Sequence, residues 1–271
     1  MKKLSARRRH PLAALVVLLF ALAATGGLYA AFAPAGEAKA DQEKSSQSLA
    51  IDEGKKLYAT GCSSCHGTGG QGTSDGPSLV GVGAAAVDFQ VGTGRMPAQQ
   101  QGPQAPKKKK IYSQDEINQL AAYVASLGSG PSQPTKGQYD PNGADVANGG
   151  ELFRTNCAQC HNFTGEGGAL THGKFAPDLG DVDSKHIYEA MQTGPQNMPS
   201  FPDTVMPEKD KKDIVAYLKT VNSDKSESPG GFKLGGFGPV AEGMFAWVFG
   251  IGALVGVAVW VAARTAKAKK S

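Results

Sequence analysis

Cys62-Ser63-Ser64-Cys65-His66 recurs 95 residues later as Cys157-Ala158-Gln159-Cys160-His161, and these two stretches contain all four cysteines of the 271-residue chain. Two thiols at this spacing can add across the two vinyl groups of one porphyrin, which places the adjacent histidine beneath the ring. The pattern therefore predicts two covalently bound haem c groups. The predicted attachment residues are Cys62, Cys65, Cys157 and Cys160, and the predicted proximal iron ligands are His66 and His161.

Paired cysteines have two other common uses. One Cys-x-x-Cys pair is typical of thiol–disulfide exchange, and two pairs together can hold zinc through four thiolates. Zinc sites of this kind keep their pairs roughly 12–20 residues apart, whereas 91 residues separate Cys65 from Cys157. Neither use requires a histidine directly after each second cysteine, so the sequence favours haem.

The repeat extends beyond the two motifs. Matched residues lead into each motif at the same 95-residue offset, and they are Gly54 with Gly149, Leu57 with Leu152, and Tyr58 with Phe153. Each unit also ends in an amphipathic stretch, where Ala122-Tyr123-Val124 matches Ala216-Tyr217-Leu218. This internal duplication predicts two helical domains, at residues 49–128 and 146–222. The predicted connecting segments are polar linkers at 34–48 and 129–145 and a glycine-rich tether at 223–243.

Residue signals also predict where the closing helices begin and end. Ser113 and Glu116 form a capping box at the start of the first one, and Gly128 suits its C-terminal cap. Pro207 suits the first helical position of the second one. The apolar face of each closing helix is expected to be core that packs the haem cradle.

A haem iron that only transfers electrons needs a sixth ligand. Between His66 and the first closing helix, Met96 is the only methionine or histidine, and it lies in the stretch Gly-Thr-Gly-Arg-Met-Pro at 92–97. Elimination and the following proline therefore favour Met96 as the axial ligand of the first haem.

The second unit offers several axial candidates, which are Met191, Met198, Met206, His172 and His186. The stretch Thr-Gly-Pro-Gln-Asn-Met-Pro at 193–199 parallels the first loop with two extra residues, which favours Met198. Met191 falls where a helix should pack, and Met206 lies just before the last helix of the unit. The two histidines are expected in loops or at the surface.

Each end of the chain carries an uncharged apolar run. Residues 11–33, 23 in number, can span a bilayer and follow a basic end at 1–10. A cleavable secretory signal has the same features, so a retained anchor and a removed signal both remain open. Residues 244–263, 20 in number, form the second run, with a basic tail at 264–271. Because basic flanks stay inside, we expect cytoplasmic termini and extracytoplasmic haem domains in the cell membrane.

The net charge of +4 comes from the two ends of the chain. Residues 11–263 carry 19 basic and 24 acidic side chains, a net charge of −5. A nucleic-acid-binding protein would instead concentrate basic residues on a folded domain. We therefore expect membrane lipid at the two ends of the chain and no nucleic acid partner.

Each unit resembles a class I cytochrome c domain: an amphipathic helix, Cys-x-x-Cys-His, a loop with Met-Pro, and a closing helix with Ala-Tyr-Leu or similar. The similarity covers about residues 49–128 and 146–222. The first unit departs from the pattern at 98–110, a Gln/Pro/Lys insertion after Met96. We expect this insertion to be a solvated, mobile loop, although Lys107–Lys110 could meet an acidic partner or lipid head groups.

The whole layout is similar to the dihaem cytochrome c subunit (cytochrome cc) of the actinobacterial-type cytochrome bc complex, the menaquinol–cytochrome c reductase of respiratory Complex III. The resemblance implies an all-α protein with two tandem class I cytochrome c domains outside the membrane. It also implies a cytochrome b subunit, a Rieske iron–sulfur subunit and a terminal cytochrome c oxidase as partners. The chain would carry electrons from menaquinol oxidation to the oxidase, as the electron-transfer subunit of a translocase without substrate chemistry of its own.

Three other functions fit parts of the pattern. A dihaem subunit of a cbb-type oxidase anchors through its N-terminal side, which the run at 244–263 argues against. A free-standing membrane-anchored shuttle would carry the same features as a complex subunit. A dihaem peroxidase needs an iron with an open or displaceable site, and two good methionine candidates argue against it.

Overall fold

The computed structural model describes residues 11–32, 35–100, 102–223 and 239–268. The predicted basic end at 1–10, most of the predicted tether at 223–243 and residues 269–271 of the tail lie outside the described residues. The helices are α1 (Pro11–Phe32), α2 (Ala35–Gly61), α3 (Ser63–His66), α4 (Gly83–Gly92), α5 (Gln114–Ser126), α6 (Lys136–Tyr139), α7 (Val146–Asn156), α8 (Ala158–His161), α9 (Ser184–Thr193), α10 (Glu208–Val221) and α11 (Pro239–Ala268).

The described residues are mostly helical, as the sequence predicts, with one small exception in the second half. There β1 (Gly168–Ala169) pairs antiparallel with β2 (Phe175–Ala176), and a 3-10 turn at Thr171–Gly173 joins the two strands. Residues 35–48, which we expected to form a polar linker, are helical and make up the first part of α2.

Helices α1 and α11 each contain a segment long and apolar enough to cross a membrane. The segments are Leu12–Ala31 and Glu242–Arg264, both with a mean hydropathy of 2.2. Neither segment has residues buried inside the protein. A soluble core helix would bury such a surface. By length and composition, both segments are therefore candidate membrane spans.

The opening and closing helices of each domain cross at a glycine. A Cβ added at Gly54 on α2 would lie 1.9 Å from the carbonyl oxygen of Gln119 on α5. In the second domain a Cβ at Gly149 on α7 would lie 1.9 Å from the carbonyl oxygen of Asp213 on α10. Only a residue without a side chain allows two backbones to approach so closely. The matched glycines of the sequence repeat are therefore the contact points of two matched helix pairs.

Each domain has its own apolar core. The buried core residues are Tyr58, Val87, Val91, Ile117, Leu120, Ala121, Tyr123 and Val124 in the first domain, and Phe153, Ile187, Tyr188, Met191, Met206, Ile214, Val215, Tyr217 and Leu218 in the second. Met191 and Met206 are thus buried in the second core.

An aromatic pair joins the helices at the same place in both cores. The rings of Tyr58 and Tyr123 lie 5.0 Å apart, and those of Phe153 and Tyr217 lie 5.5 Å apart. The tyrosine hydroxyl that anchors the motif loop differs between the domains. Tyr58 donates to the carbonyl oxygen of Gly67 at 2.7 Å, whereas Tyr217, from the closing helix, donates to that of Phe163 at 2.6 Å.

The cap signals are confirmed to within one residue. The capping box of Ser113 and Glu116 begins α5. That helix ends at Ser126 with Leu127 as its cap, so Gly128 lies one position beyond the expected place. Pro207 is the N-cap of α10 and not its first helical residue.

The segment at 129–145 packs along both domains. The carbonyl oxygen of Pro131 accepts a hydrogen bond from the Ala85 backbone at 3.1 Å. At the other end of the segment, the Asp145 backbone donates to the Asp213 carboxylate at 2.8 Å. Pro134, between these two contacts, is buried. The predicted linker is therefore part of the contact between the domains.

Candidate haem sites and the domain interface

The two motif histidines have the same hydrogen-bond environment. His66 Nδ1 lies 2.7 Å from the carbonyl oxygen of Pro77, and His161 Nδ1 lies 3.0 Å from that of Pro177. A carbonyl can only accept, so Nδ1 carries a proton in both rings, and Nε2 is the nitrogen left to bind iron. Burial lowers the pKa of His161, although its hydrogen bond to Pro177 opposes the shift. A neutral imidazole with its orientation fixed through Nδ1 is what an iron ligand requires.

The loops that carry Met96 and Met198 begin in the same way. Thr93 donates its hydroxyl hydrogen to the carbonyl oxygen of Phe89 at 2.5 Å, and Thr193 donates to that of Glu189 at 2.7 Å. A glycine with positive φ follows each threonine, at 69° for Gly94 and 60° for Gly194. The two loops therefore leave their helices by a matched turn.

The predicted sixth ligands pack on the same cores as the motif cysteines. Met96 and Cys62, both half-buried, lie against the first core. Met198 and Cys157, also half-buried, lie against the second. The oriented histidines, the free thiols and the methionine thioethers together fit one c-type haem per domain.

The thiols do not have the properties of the two rival cysteine chemistries. Burial, and then the neighbouring thiol, raise the pKa of Cys62 to about 11, and the same causes raise that of Cys157 to about 11. Thiol exchange requires a lowered thiol pKa. Within the described ranges, the one group of three or more potential metal ligands is Asp88, His186 and Glu189, which includes no cysteine. Neither thiol exchange nor a thiolate zinc site is therefore supported.

The insertion at 98–110 contacts the second domain. The side-chain amide of Gln104 pairs with the backbone of Phe175 in β2, accepting at 2.9 Å and donating at 2.8 Å. Gln196, in the Met198 loop, donates to the carbonyl oxygen of Ala105 at 3.0 Å. We expected a solvated, mobile loop, but these contacts make the insertion a bridge between the domains.

A charged contact joins α4 of the first domain to α9 of the second. Asp88 is buried, and its carboxylate lies 2.7 Å from Lys185 Nζ. Gln114 donates to the other oxygen of Asp88 at 2.8 Å. Burial alone would raise the pKa of Asp88, but the neighbouring Glu189 carboxyl group and Lys185 ammonium group outweigh burial and lower it. The Asp88 charge is therefore stabilised across the interface.

His186 lies in the same interface. Its ring meets the edge of Phe89 at a centroid distance of 6.2 Å, and the Arg95 guanidinium covers Phe89 at 4.9 Å. A Cβ at Gly92 would lie 2.9 Å from His186 Nε2. The prediction of a loop or surface position is wrong for His186, which is half-buried on α9, and correct for the exposed His172. The helical spacing of α9 was the signal that could have placed His186.

Comparisons with known proteins match each half of the chain to a cytochrome family. The cytochrome c family profile matches residues 51–128, and the profile of cytochrome c oxidase, cbb3-type, subunit III matches residues 144–218. The cytochrome bc1 complex cytochrome c subunit of Mycobacterium tuberculosis is 47% identical over 96% of this chain and 93% of its own length. The chain belongs to this family of cytochrome c subunits.

A second relative of the same name is the cytochrome bc1 complex cytochrome c subunit of Corynebacterium diphtheriae, 43% identical over 97% of this chain and 99% of its own length. The cbb3-type cytochrome c oxidase subunit FixP of Bradyrhizobium diazoefficiens is 28% identical over 58% of this chain. The cbb3-type likeness therefore reflects the shared haem domain, and the full-length similarity lies with the bc1 subunits.

Family membership confirms the fold expected from the sequence. This cytochrome c subunit has two cytochrome c domains and two long apolar helices, one near each end of the chain. It is an electron-transfer subunit of an enzyme complex in the respiratory chain.

Proposed function

We propose that this subunit carries electrons from menaquinol oxidation, received through a Rieske iron–sulfur protein, to a terminal cytochrome c oxidase. It would assemble with a cytochrome b subunit and the Rieske subunit in the cell membrane, with both termini cytoplasmic. The observation that supports this most is the matched pair of Cys-x-x-Cys-His sites, each with its histidine oriented by a backbone carbonyl. The full-length similarity to cytochrome bc1 complex subunits supports the partners.

Each domain would hold one haem through its own residues. The proposed thioether attachments are Cys62, Cys65, Cys157 and Cys160, and the proposed axial ligands are His66 with Met96 and His161 with Met198. When bound, a His/Met-ligated haem c supplies a reversible one-electron carrier of raised potential. With both a histidine and a methionine as ligands, the iron would have no open position for a substrate, unlike the iron of a peroxidase.

The chain's own residues would position and shield the two carriers. Pro77 and Pro177 hold the histidine rings, and the glycine-initiated turns at Gly94 and Gly194 hold the methionine loops. A Cβ at Gly94 would lie 2.2 Å from the carbonyl oxygen of Lys108, so the insertion packs directly on the first of these turns. Such fixed packing limits rearrangement when the charge of the site changes.

The haem assignment predicts two haems per chain. Denatured protein should give a c-type pyridine haemochrome at that ratio, because each domain has a complete attachment motif. A variant with both Cys157 and Cys160 changed to serine should retain one haem. Loss of the colour into acid acetone, or one haem in the unmodified chain, would contradict the assignment. A spectrum that changes on addition of peroxide would instead favour the peroxidase alternative.

The proposed place in a membrane complex predicts a specific response to salt. Residues 131–243 carry 15 acidic and 10 basic side chains, a net charge of −5, so a colliding partner should be positively charged at the contact. Collisional contact weakens with ionic strength, because exposed charges are screened over about 8 Å at physiological salt. A subunit held in a permanent complex should show little salt dependence.

The measurement is the oxidation rate of the reduced protein by membranes as a function of ionic strength. Full-length protein is compared with a chain ending at Val221, which lacks α11. We expect the shortened chain to be slower and to slow further as salt rises. If it works as fast as full-length protein at every salt concentration, α11 does not hold the subunit in a complex.

A further inference from the structure

Three potential metal ligands from the two domains meet at the α4–α9 contact. Asp88 comes from the first domain, and His186 and Glu189 come from the second. Their ligand atoms all lie within 4.8 Å of one another. His186 and Glu189 are three residues apart on α9, so they share one face of that helix. None of the three belongs to the proposed haem sites.

Glu189 is buried without the contacts that a buried carboxylate needs. It has no solvent exposure, and neither of its oxygens accepts a hydrogen bond from a described donor. Asp88 Oδ2 is also buried, and its close partner is the Lys185 ammonium group, 2.7 Å away. Buried polar groups are normally satisfied, so the Glu189 oxygens indicate a group that the protein atoms alone do not supply.

The charges where α4 meets α9 indicate a site for a cation. Lys185 Nζ lies 2.7 Å from Asp88 Oδ2 and 3.7 Å from Glu189 Oε1, and so brings one positive charge to two buried carboxylates. Burial, and then the Asp88 carboxylate, raise the pKa of Glu189. Either a proton shared between the two carboxyl groups or a bound divalent cation would balance the remaining charge.

We propose that Asp88, His186 and Glu189 bind a divalent cation of the zinc class and that this ion joins the two cytochrome domains. One imidazole nitrogen with two carboxylate oxygens is a ligand set typical of Zn²⁺, with a fourth position for water. Mg²⁺ and Ca²⁺ prefer six or more oxygen ligands, which this compact set does not provide. The hydrogen bond from Gln114 to Asp88 Oδ1 would hold that carboxylate in place.

Lys185 and His186 have the properties that such a site requires. Lys185 lies at the rim with 21% of its side chain exposed, so it can turn toward solvent when the ion takes Asp88 Oδ2. His186 Nε2 is 4.0 Å from that oxygen and is also partly exposed, which leaves a path for an ion to enter. Burial lowers the pKa of His186, so the ring is in the neutral form that binds metals.

The test counts zinc on the full-length protein carrying its haems. Protein washed with chelator is dialysed against Zn²⁺, and bound zinc is measured by elemental mass spectrometry and titration calorimetry. We expect one zinc ion per chain in addition to haem iron. We expect no binding of Mg²⁺ or Ca²⁺ with comparable affinity. Glu189→Gln and His186→Ala should each weaken binding about 100-fold or more, since loss of an outer-shell partner alone costs 10–100-fold.

Matched controls separate this site from others. Glu151→Gln removes an exposed carboxylate, and His172→Ala removes an exposed histidine of the same domain, so both should bind zinc like the unmodified protein. Zinc should also raise the unfolding temperature of the unmodified protein but not that of Glu189→Gln. The haem spectrum of each variant reports whether it has folded.

Three results would overturn the proposal. The first is that the unmodified protein binds no stoichiometric zinc. The second is that Glu189→Gln and His186→Ala bind zinc as tightly as the unmodified protein does, and the third is that His172→Ala loses zinc. The first of these, together with unchanged stability of Glu189→Gln, would mean that a shared proton balances the carboxyl pair. None of these readouts depends on electron transfer, so they do not bear on the proposed respiratory function.

Discussion

Replacing Met96 or Met198 with alanine is expected to lower the reduction potential of one haem by on the order of 0.1 V and to leave the other nearly unchanged. The thioether sulfur favours ferrous iron, so its loss stabilises the oxidised state. The effect should be confined to one haem because Met96 and Met198 pack on different cores. The measurement is a redox titration of each variant monitored by its haem absorbance.

Met191→Ala is the matched control for Met198→Ala. Met191 is buried in the second core, at 3% exposure, and should contribute to stability and not to iron ligation. Its replacement should lower the unfolding temperature with little change in either potential. If Met198→Ala leaves both potentials unchanged while Met191→Ala or His172→Ala shifts one, the proposed ligand of the second haem is wrong.

Alanine at Gly54 or Gly149 is expected to destabilise one domain by roughly 3 kcal/mol or more. Forcing extra volume into a packed contact typically costs about 1–3 kcal/mol. Here the added Cβ would meet a backbone carbonyl oxygen at 1.9 Å, which cannot move away as a flexible side chain could. Unfolding is followed by denaturant titration, with helical circular dichroism and haem absorbance recorded together.

Gly137→Ala is the control for this pair of variants. Gly137 also lies in a helix, but a Cβ there would have no atom within 4 Å. The free energy of unfolding of the Gly137→Ala variant should differ from that of the unmodified protein by less than about 1 kcal/mol, with alanine slightly favoured by helix propensity. Unchanged stability of both Gly54→Ala and Gly149→Ala would show that the helices separate at these points without loss.

The sequence predicts the parts of this fold that repeat or that local chemistry determines. Gly54 and Gly149 stand at one offset before identical motifs, and the structure uses both at helix crossings. The capping box of Ser113 and Glu116 marks a helix start because its hydrogen bonds are local. Met191 lies in the second core, where the sequence places a packed helix.

The sequence does not predict the contacts between the domains in the same way. Gln104 lies in a polar, proline-containing insertion, and its partner Phe175 is 71 residues away. Asp88 is the one charged residue of α4, and His186 is one of several polar residues of α9, so neither lies in a motif that indicates its partner. Their proximity depends on how the two repeats pack against each other, which neither periodicity nor a motif encodes. The helix at residues 35–48 is likewise not evident in the sequence, because a polar composition neither indicates nor excludes a helix.

The contacts that link the domains also bear on the kinetics of electron exchange between them, which takes place within one chain. The packed segment at 129–145, the Gln104 bridge and the Asp88–Lys185 ion pair keep the two domains of one chain together. An electron that enters one domain would then reach the other without a diffusional encounter. The exchange should be first order, with a rate constant that does not change on dilution, whereas two separate carriers would slow in proportion to their concentration.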